Sequence, residues 1–150
     1  MEKYDLDFLE KEEAIFCGQL EDFYKSNEKF SDEIVKTESK GVYVVLSLKQ
    51  HFLYPNGNSK VIYIGKSNNV YKRLGSHRRN LEEIDFDRIK EYWADNKYLY
   101  MKRFGAKVYY ISATGNWNAH NFESKVLGDF YDKYHAIPVG NGSLSFGKRS

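Results

Sequence analysis

Hydrophobic positions in this chain recur with two different periods, and the switches between them outline the elements. From about Tyr4 to Ser26, the residues Leu9, Phe16, Leu20, Phe23 and Tyr24 can share one stripe with acids opposite, which predicts an N-terminal helix. Ser31 to Lys40 is a polar connector. Val42-Tyr43-Val44-Val45-Leu46 then brings β-branched and aromatic side chains together, as a strand requires. Pro55-Asn56-Gly57-Asn58 marks a turn, and Val61-Ile62-Tyr63-Ile64 resumes the strand pattern, so the two runs predict a hairpin. Its connection, Gln50 to Lys60, is long.

Asn68 or Asn69 can cap the next helix, which carries Val70, Leu74 and His77. A second helix is expected from Phe86 to Tyr98 with Ile89, Tyr92 and Trp93 inward. Lys107-Val108-Tyr109-Tyr110-Ile111-Ser112 reads as a third strand, ending near Gly115. Asn118 to Tyr134 reads as a helix burying Phe122, Val126, Leu127 and Phe130, and Pro138-Val139-Gly140-Asn141-Gly142 ends regular structure. No internal repeat or low-complexity tract interrupts this order. It predicts an α/β chain of the α+β type: a small sheet covered by helices.

At 150 residues the chain suits one domain that buries about two thirds of its unfolded surface. We divide it into an acidic N-terminal helical arm, residues 1–40, and a compact unit, residues 41–150. Its single cysteine, Cys17, cannot form an internal disulfide, which favours a reducing compartment and a small core side chain. No apolar run approaches the roughly 20 residues that cross a bilayer. The acidic start, Met1-Glu2-Lys3-Tyr4-Asp5, is unlike a secretory signal, so a cytoplasmic location is expected. The formal net charge is only +2, yet it is unevenly spread. Residues 1–33 hold 4 Lys against 11 Asp or Glu, whereas residues 34–150 hold 19 Lys or Arg against 10 acids. Lys66, Lys72, Arg73, Arg78 and Arg79 stand close together with no acid among them, a local concentration that attracts a polyanion.

Two short strings carry the sharpest signal. Gly41-Val42-Tyr43 opens one strand-like run, and Tyr63-Ile64-Gly65 closes the other. The basic stretch with Arg73 and His77 follows, then Glu123 in an amphipathic run and Asn141 between two glycines. This ordered set, over roughly residues 41 to 141, resembles the GIY-YIG nuclease family, with valine in place of isoleucine in the first string. The resemblance implies a three-stranded antiparallel sheet flanked by helices. It also implies a metal-dependent DNA endonuclease hydrolysing phosphodiester bonds.

By that resemblance Tyr43 is the general base, Tyr63 orients water or phosphate, and Arg73 grips the scissile phosphate. Guanidinium suits the last task because it stays charged and offers forked donors. An isolated phenol has a pKa near 10, so a base at neutral pH needs a nearby cation, for which Lys66 or a hydrated metal are candidates. Lys66 can alternatively neutralise the DNA backbone. His77 follows Arg73 by four residues, on the same helical face, and can bond Tyr43 or the phosphate. Glu123 is the expected seat of one Mg²⁺ or Mn²⁺ ion, since Mg²⁺ retains most of its water. Asn141 either supports the site or is an ordinary Gly-Asn-Gly turn.

Lys66, Lys72, Arg73, Arg78 and Arg79 are expected to contact nucleic acid, with double-stranded DNA as the partner. His51, Phe52 and Tyr54 in the long connection either reach nucleic acid or pack on themselves. The acidic arm can shield the cationic face or form a dimer contact, so a homodimer stays open. The alternative is a DNA-binding module of the same fold with little or no cleavage. One cysteine and four scattered histidines lack the spacing of a zinc site.

Overall fold

The β-branched run Gly41–Leu46 is the central strand of a four-stranded antiparallel sheet in the computed structural model. The structure describes residues 6–9, 13–20, 40–83, 96–112 and 119–141. Its strands are β1 (Ile15–Gln19), β2 (Gly41–Leu46), β3 (Phe52–Tyr54), β4 (Gly57–Ser59), β5 (Val61–Ser67) and β6 (Lys107–Ser112). Its helices are α1 (Val70–Glu83), α2 (Asn96–Phe104) and α3 (Ala119–Tyr134). The sheet order is β1-β6-β2-β5, with β3 and β4 forming a separate two-stranded ribbon.

All six residues of β2 are buried, because both faces of the sheet are covered. Tyr43 and Val45 point to one side, where they meet Val70 and Leu74 of α1 and Tyr98 and Met101 of α2. Val42, Val44 and Leu46 point to the other, against Phe122, Val126 and Phe130 of α3. Fully burying each aliphatic side chain contributes about 1.5–3 kcal/mol, so this strand anchors two cores at once. The helix expected from Asn118 to Tyr134 is thus confirmed in place and in facing.

The hairpin partner carries an irregularity that matters for the site. Val45 pairs with Tyr63 and Leu46 with Val61, which leaves Ile62 as an extra residue in β5. Such a bulge resets the alternation of faces. Val61 therefore joins the α3 side, while Tyr63 packs on the same side as Tyr43. The long connection folds on itself: Phe52 is buried, and Tyr54 lies 5.2 Å from the Phe130 ring and donates from its hydroxyl to the Val61 carbonyl. His51 is left exposed.

Two expectations need correcting. Within the expected N-terminal helix, Ile15–Gln19 is a strand paired antiparallel with β6, so the sheet has four strands rather than three. The stripe of Leu9, Phe16 and Leu20 fitted a helix, but Ile15, Phe16, Cys17 and Gly18 are poor helix formers, and β6 offers an open edge. Gly18, at φ 131°, closes a bulge that a bulkier residue would strain. Cys17 is buried, as a core residue should be. Secondly, α2 runs on to Phe104, so the helix expected to end at Tyr98 continues past it. Residues 84–95, with Ile89, Tyr92 and Trp93, lie outside the described residues, as does most of the acidic arm.

β5 is the outer strand on the hairpin side, and its edge is closed by side chain and loop. Asn141 Nδ2 donates to the Ile64 carbonyl at 2.9 Å, and Ile64 N donates to Asn141 Oδ1 at 3.0 Å. Gly140 N donates to the Ile62 carbonyl at 2.7 Å. Asn141→Ala should therefore lower stability by about 2 kcal/mol, read from the denaturant midpoint. An unchanged midpoint would show that these bonds are replaced by water at no cost.

Candidate active site

Register alone brings the two motif strings together. Tyr43 pairs with Gly65 across the β2–β5 ladder, and directly opposed residues share a face. The Tyr43 ring occupies the space that a Cβ on Gly65 would need. Such an atom would also lie 2.7 Å from Cε2 of Tyr63, so only glycine admits both rings. Their centroids stand 6.1 Å apart.

α1 contributes the next layer. Asn69 Oδ1 accepts from Lys72 N at 3.1 Å and caps the helix, settling the choice between Asn68 and Asn69. One turn on, the Arg73 guanidinium lies near enough to Tyr43 and Tyr63 to act on both phenols electrostatically. Four residues further, His77 is fully buried with Nε2 at 2.6 Å from the Tyr43 hydroxyl. Its other nitrogen, Nδ1, lies 2.8 Å from the Tyr98 hydroxyl, to which Asn80 Nδ2 also donates at 2.9 Å. Lys97 completes this side, with Nζ 5.2 Å from the Tyr63 ring centre.

These contacts set the charge states. Burial, and then the neighbouring Tyr63 phenol, push Tyr43 far above the usual tyrosine range, while Arg73 opposes them. Burial also raises Tyr63; Arg73 counters it and Glu123 adds to it. Burial first, then Arg73 and Lys97, hold His77 down to about 3, so at neutral pH it is a neutral imidazole. The resting site is therefore two protonated phenols and a neutral histidine beneath one guanidinium.

Beyond Gly65 the strand turns its next side chain to the other face. Lys66 meets α3 there, with Nζ 2.9 Å from His120 Nδ1 and 3.9 Å from Glu123 Oε1. Lys66 is thus engaged with α3, and the cation that acts on Tyr43 is Arg73. Glu123 keeps 19% of its side chain exposed and influences Tyr63, so the two halves of the site meet at that ring. Tyr43, Tyr63, Arg73 and His77 converge on one side of β5, with Lys66 and Glu123 on the other. Asn141 stands apart, its amide bonded at both ends to the Ile64 backbone, where it supports the strand.

In the basic stretch, Lys72, Arg73 and Arg79 are exposed. Arg78 is not a projecting cation: its side chain is largely buried and paired with Glu82 one turn along α1. Sequence reasoning missed Tyr98, Asn80, Lys97 and His120. Asn80, three residues after His77, and His120, three before Glu123, had spacings that could have shown them.

A family model, the GIY-YIG catalytic domain, matches residues 39–134. The chain belongs to the GIY-YIG family. No curated protein and no solved structure matches it. A GIY-YIG domain is a nuclease-type unit that acts on DNA, and the matched residues hold every site residue named above except Asn141. β1 also lies outside the match, so the fourth strand is added to the segment that defines the GIY-YIG domain. No helix among the described residues is long and apolar enough to cross a membrane.

Two predictions follow from this geometry. Gly65→Ala should displace the two phenols, lowering the thermal midpoint and abolishing measurable DNA cleavage; retention of both properties would contradict the close approach. For His77, the folded-state pKa is depressed below its unfolded value near 6.5. Unfolded chains then bind the extra proton first, so stability is present above about pH 6.5 and is lost as pH falls towards about 3. His77→Gln should remove that part of the acid dependence in urea titrations at stepped pH, and an unaltered profile would refute it.

Proposed function

We propose that this chain is a metal-dependent endonuclease hydrolysing the phosphodiester bonds of double-stranded DNA. The observation that carries the reading is the buried pair of Tyr43 and His77, 2.6 Å apart, lying directly under Arg73. In this reading Arg73 binds the scissile phosphate, and its fork also fixes the two phenols. Tyr43 takes a proton from the attacking water and passes its own to His77 Nε2. The tautomer with the proton on Nδ1, donated to Tyr98, leaves Nε2 ready to accept. Bound phosphate offsets the Arg73 and Lys97 charges that depress His77, which makes the imidazole a better acceptor when substrate is present. Tyr63, which feels both Arg73 and Glu123, orients the water or a phosphate oxygen.

Glu123 fits a divalent ion: its carboxylate is partly open to solvent and already faces a cation, Lys66. One carboxylate with retained water is the donor set that Mg²⁺ accepts. The ion would supply charge stabilisation to the departing oxygen. Lys72 and Arg79, exposed on α1, would run along the backbone phosphates.

Supercoiled plasmid with Mg²⁺ or Mn²⁺ tests this directly. Wild type should give nicked and linear forms, while Arg73→Ala, Tyr43→Phe and Glu123→Ala should each slow cleavage at least about a hundredfold. Tight, salt-sensitive DNA binding without cleavage on any substrate would select the binding-module alternative instead.

A further inference from the structure

Lys66 Nζ faces two groups on α3, His120 Nδ1 at 2.9 Å and Glu123 Oε1 at 3.9 Å. An ammonium has donors only, so the His120 nitrogen turned towards it is the one with a lone pair. His120 and Glu123 are three residues apart, neighbours on one helical face. Carboxylate and imidazole three residues apart, in the opposite order, hold metals between the helices of bundle proteins. A nitrogen lone pair and a carboxylate oxygen are thus aimed at a single positive charge, in a corner open to solvent. A surface Lys–Glu pair alone contributes little and has no need of a third group.

We propose that His120 Nδ1 and the Glu123 carboxylate together hold the divalent cation, which takes the place of the Lys66 ammonium. The inference rests on the reading of Glu123 as the metal residue and adds an imidazole to it. Among the described residues no group of three or more His, Cys, Asp or Glu side chains could hold a metal. Water and phosphate oxygens take further positions on the ion, which leaves room for substrate. An imidazole donor also changes the preferred ion. Mg²⁺ favours oxygen, whereas Mn²⁺ and above all Co²⁺ and Ni²⁺ accept nitrogen readily. Lys66 competes with the ion for the same two groups, and once displaced it is free to meet the DNA backbone.

Metal binding to the full chain, without DNA, tests this apart from activity. Calorimetry with Mn²⁺, Co²⁺ and Mg²⁺ would be paired with nitrogen couplings in the electron spin-echo spectrum of bound Mn²⁺. His120→Ala, shown folded by circular dichroism, should weaken Mn²⁺ and Co²⁺ binding at least about tenfold, spare Mg²⁺, and erase the nitrogen coupling. Lys66→Met should tighten all three ions. Unchanged Mn²⁺ affinity in His120→Ala, with no nitrogen coupling in wild type, overturns the inference while leaving Glu123 in place. Unchanged affinity in Glu123→Ala overturns the reading of Glu123 itself, and a wild-type chain that binds none of these ions overturns both.

Discussion

The pairing of Tyr43 with Gly65 is the constraint on which the site depends. Two phenols can face each other across adjacent strands only where one strand gives up its side chain, and Gly65 does so. The bulge at Ile62 acts at the other end of the strand. Val45 pairs with Tyr63 and Tyr43 with Gly65 in unbroken alternation, so Tyr63 shares the Tyr43 face, and the extra residue turns Val61 to the α3 side. The two motif strings are therefore two stretches of one ladder, joined by register.

Around that ladder, burial sets the chemistry. His77 is sealed beneath α1 and α2, and its neutrality comes mainly from lost solvation, with Arg73 and Lys97 adding to the effect. Tyr43 is sealed alongside it, and a lone buried phenol would be a worse base than one in water. The hydrogen bond between them changes the question from whether Tyr43 ionises to where its proton goes. In the mechanism we propose, the 2.6 Å contact to a neutral imidazole gives that proton a destination inside the protein. Tyr98 and Asn80 then hold the imidazole from behind, so that its Nε2 stays on Tyr43.

Much of this was legible in the chain because the strand signals are local. Val42-Tyr43-Val44-Val45-Leu46 and Lys107 to Ser112 read as strands from side-chain shape alone, and the helix up to Tyr134 read correctly from its apolar spacing. Arg73 and His77, four residues apart, announced a shared face. What failed was non-local. Ile15–Gln19 became a strand because β6 offered it an edge, which no periodicity within residues 4–26 could reveal. Tyr98 meets His77 across 21 positions, and His120 meets Lys66 across 54, so neither contact had a local spacing to betray it. Arg78 looked like one more cation for DNA until Glu82, one turn on, was found to hold it.

The strand order explains how one site can draw on both sides of a sheet. β1 extends the sheet beyond β6, at the far edge from the two tyrosines, so β5 remains the outer strand on the working side. At the β5 edge, Tyr63 feels Arg73 on one face and Glu123 on the other, while Lys66 passes across to α3. An exposed edge invites unwanted pairing, and a full strand laid against it would bury the site. Gly140 and Asn141 satisfy the Ile62 and Ile64 backbone with three hydrogen bonds and no strand of their own. Among the described residues, those bonds take up the Ile62 carbonyl and both backbone groups of Ile64 that another chain's strand would otherwise pair with.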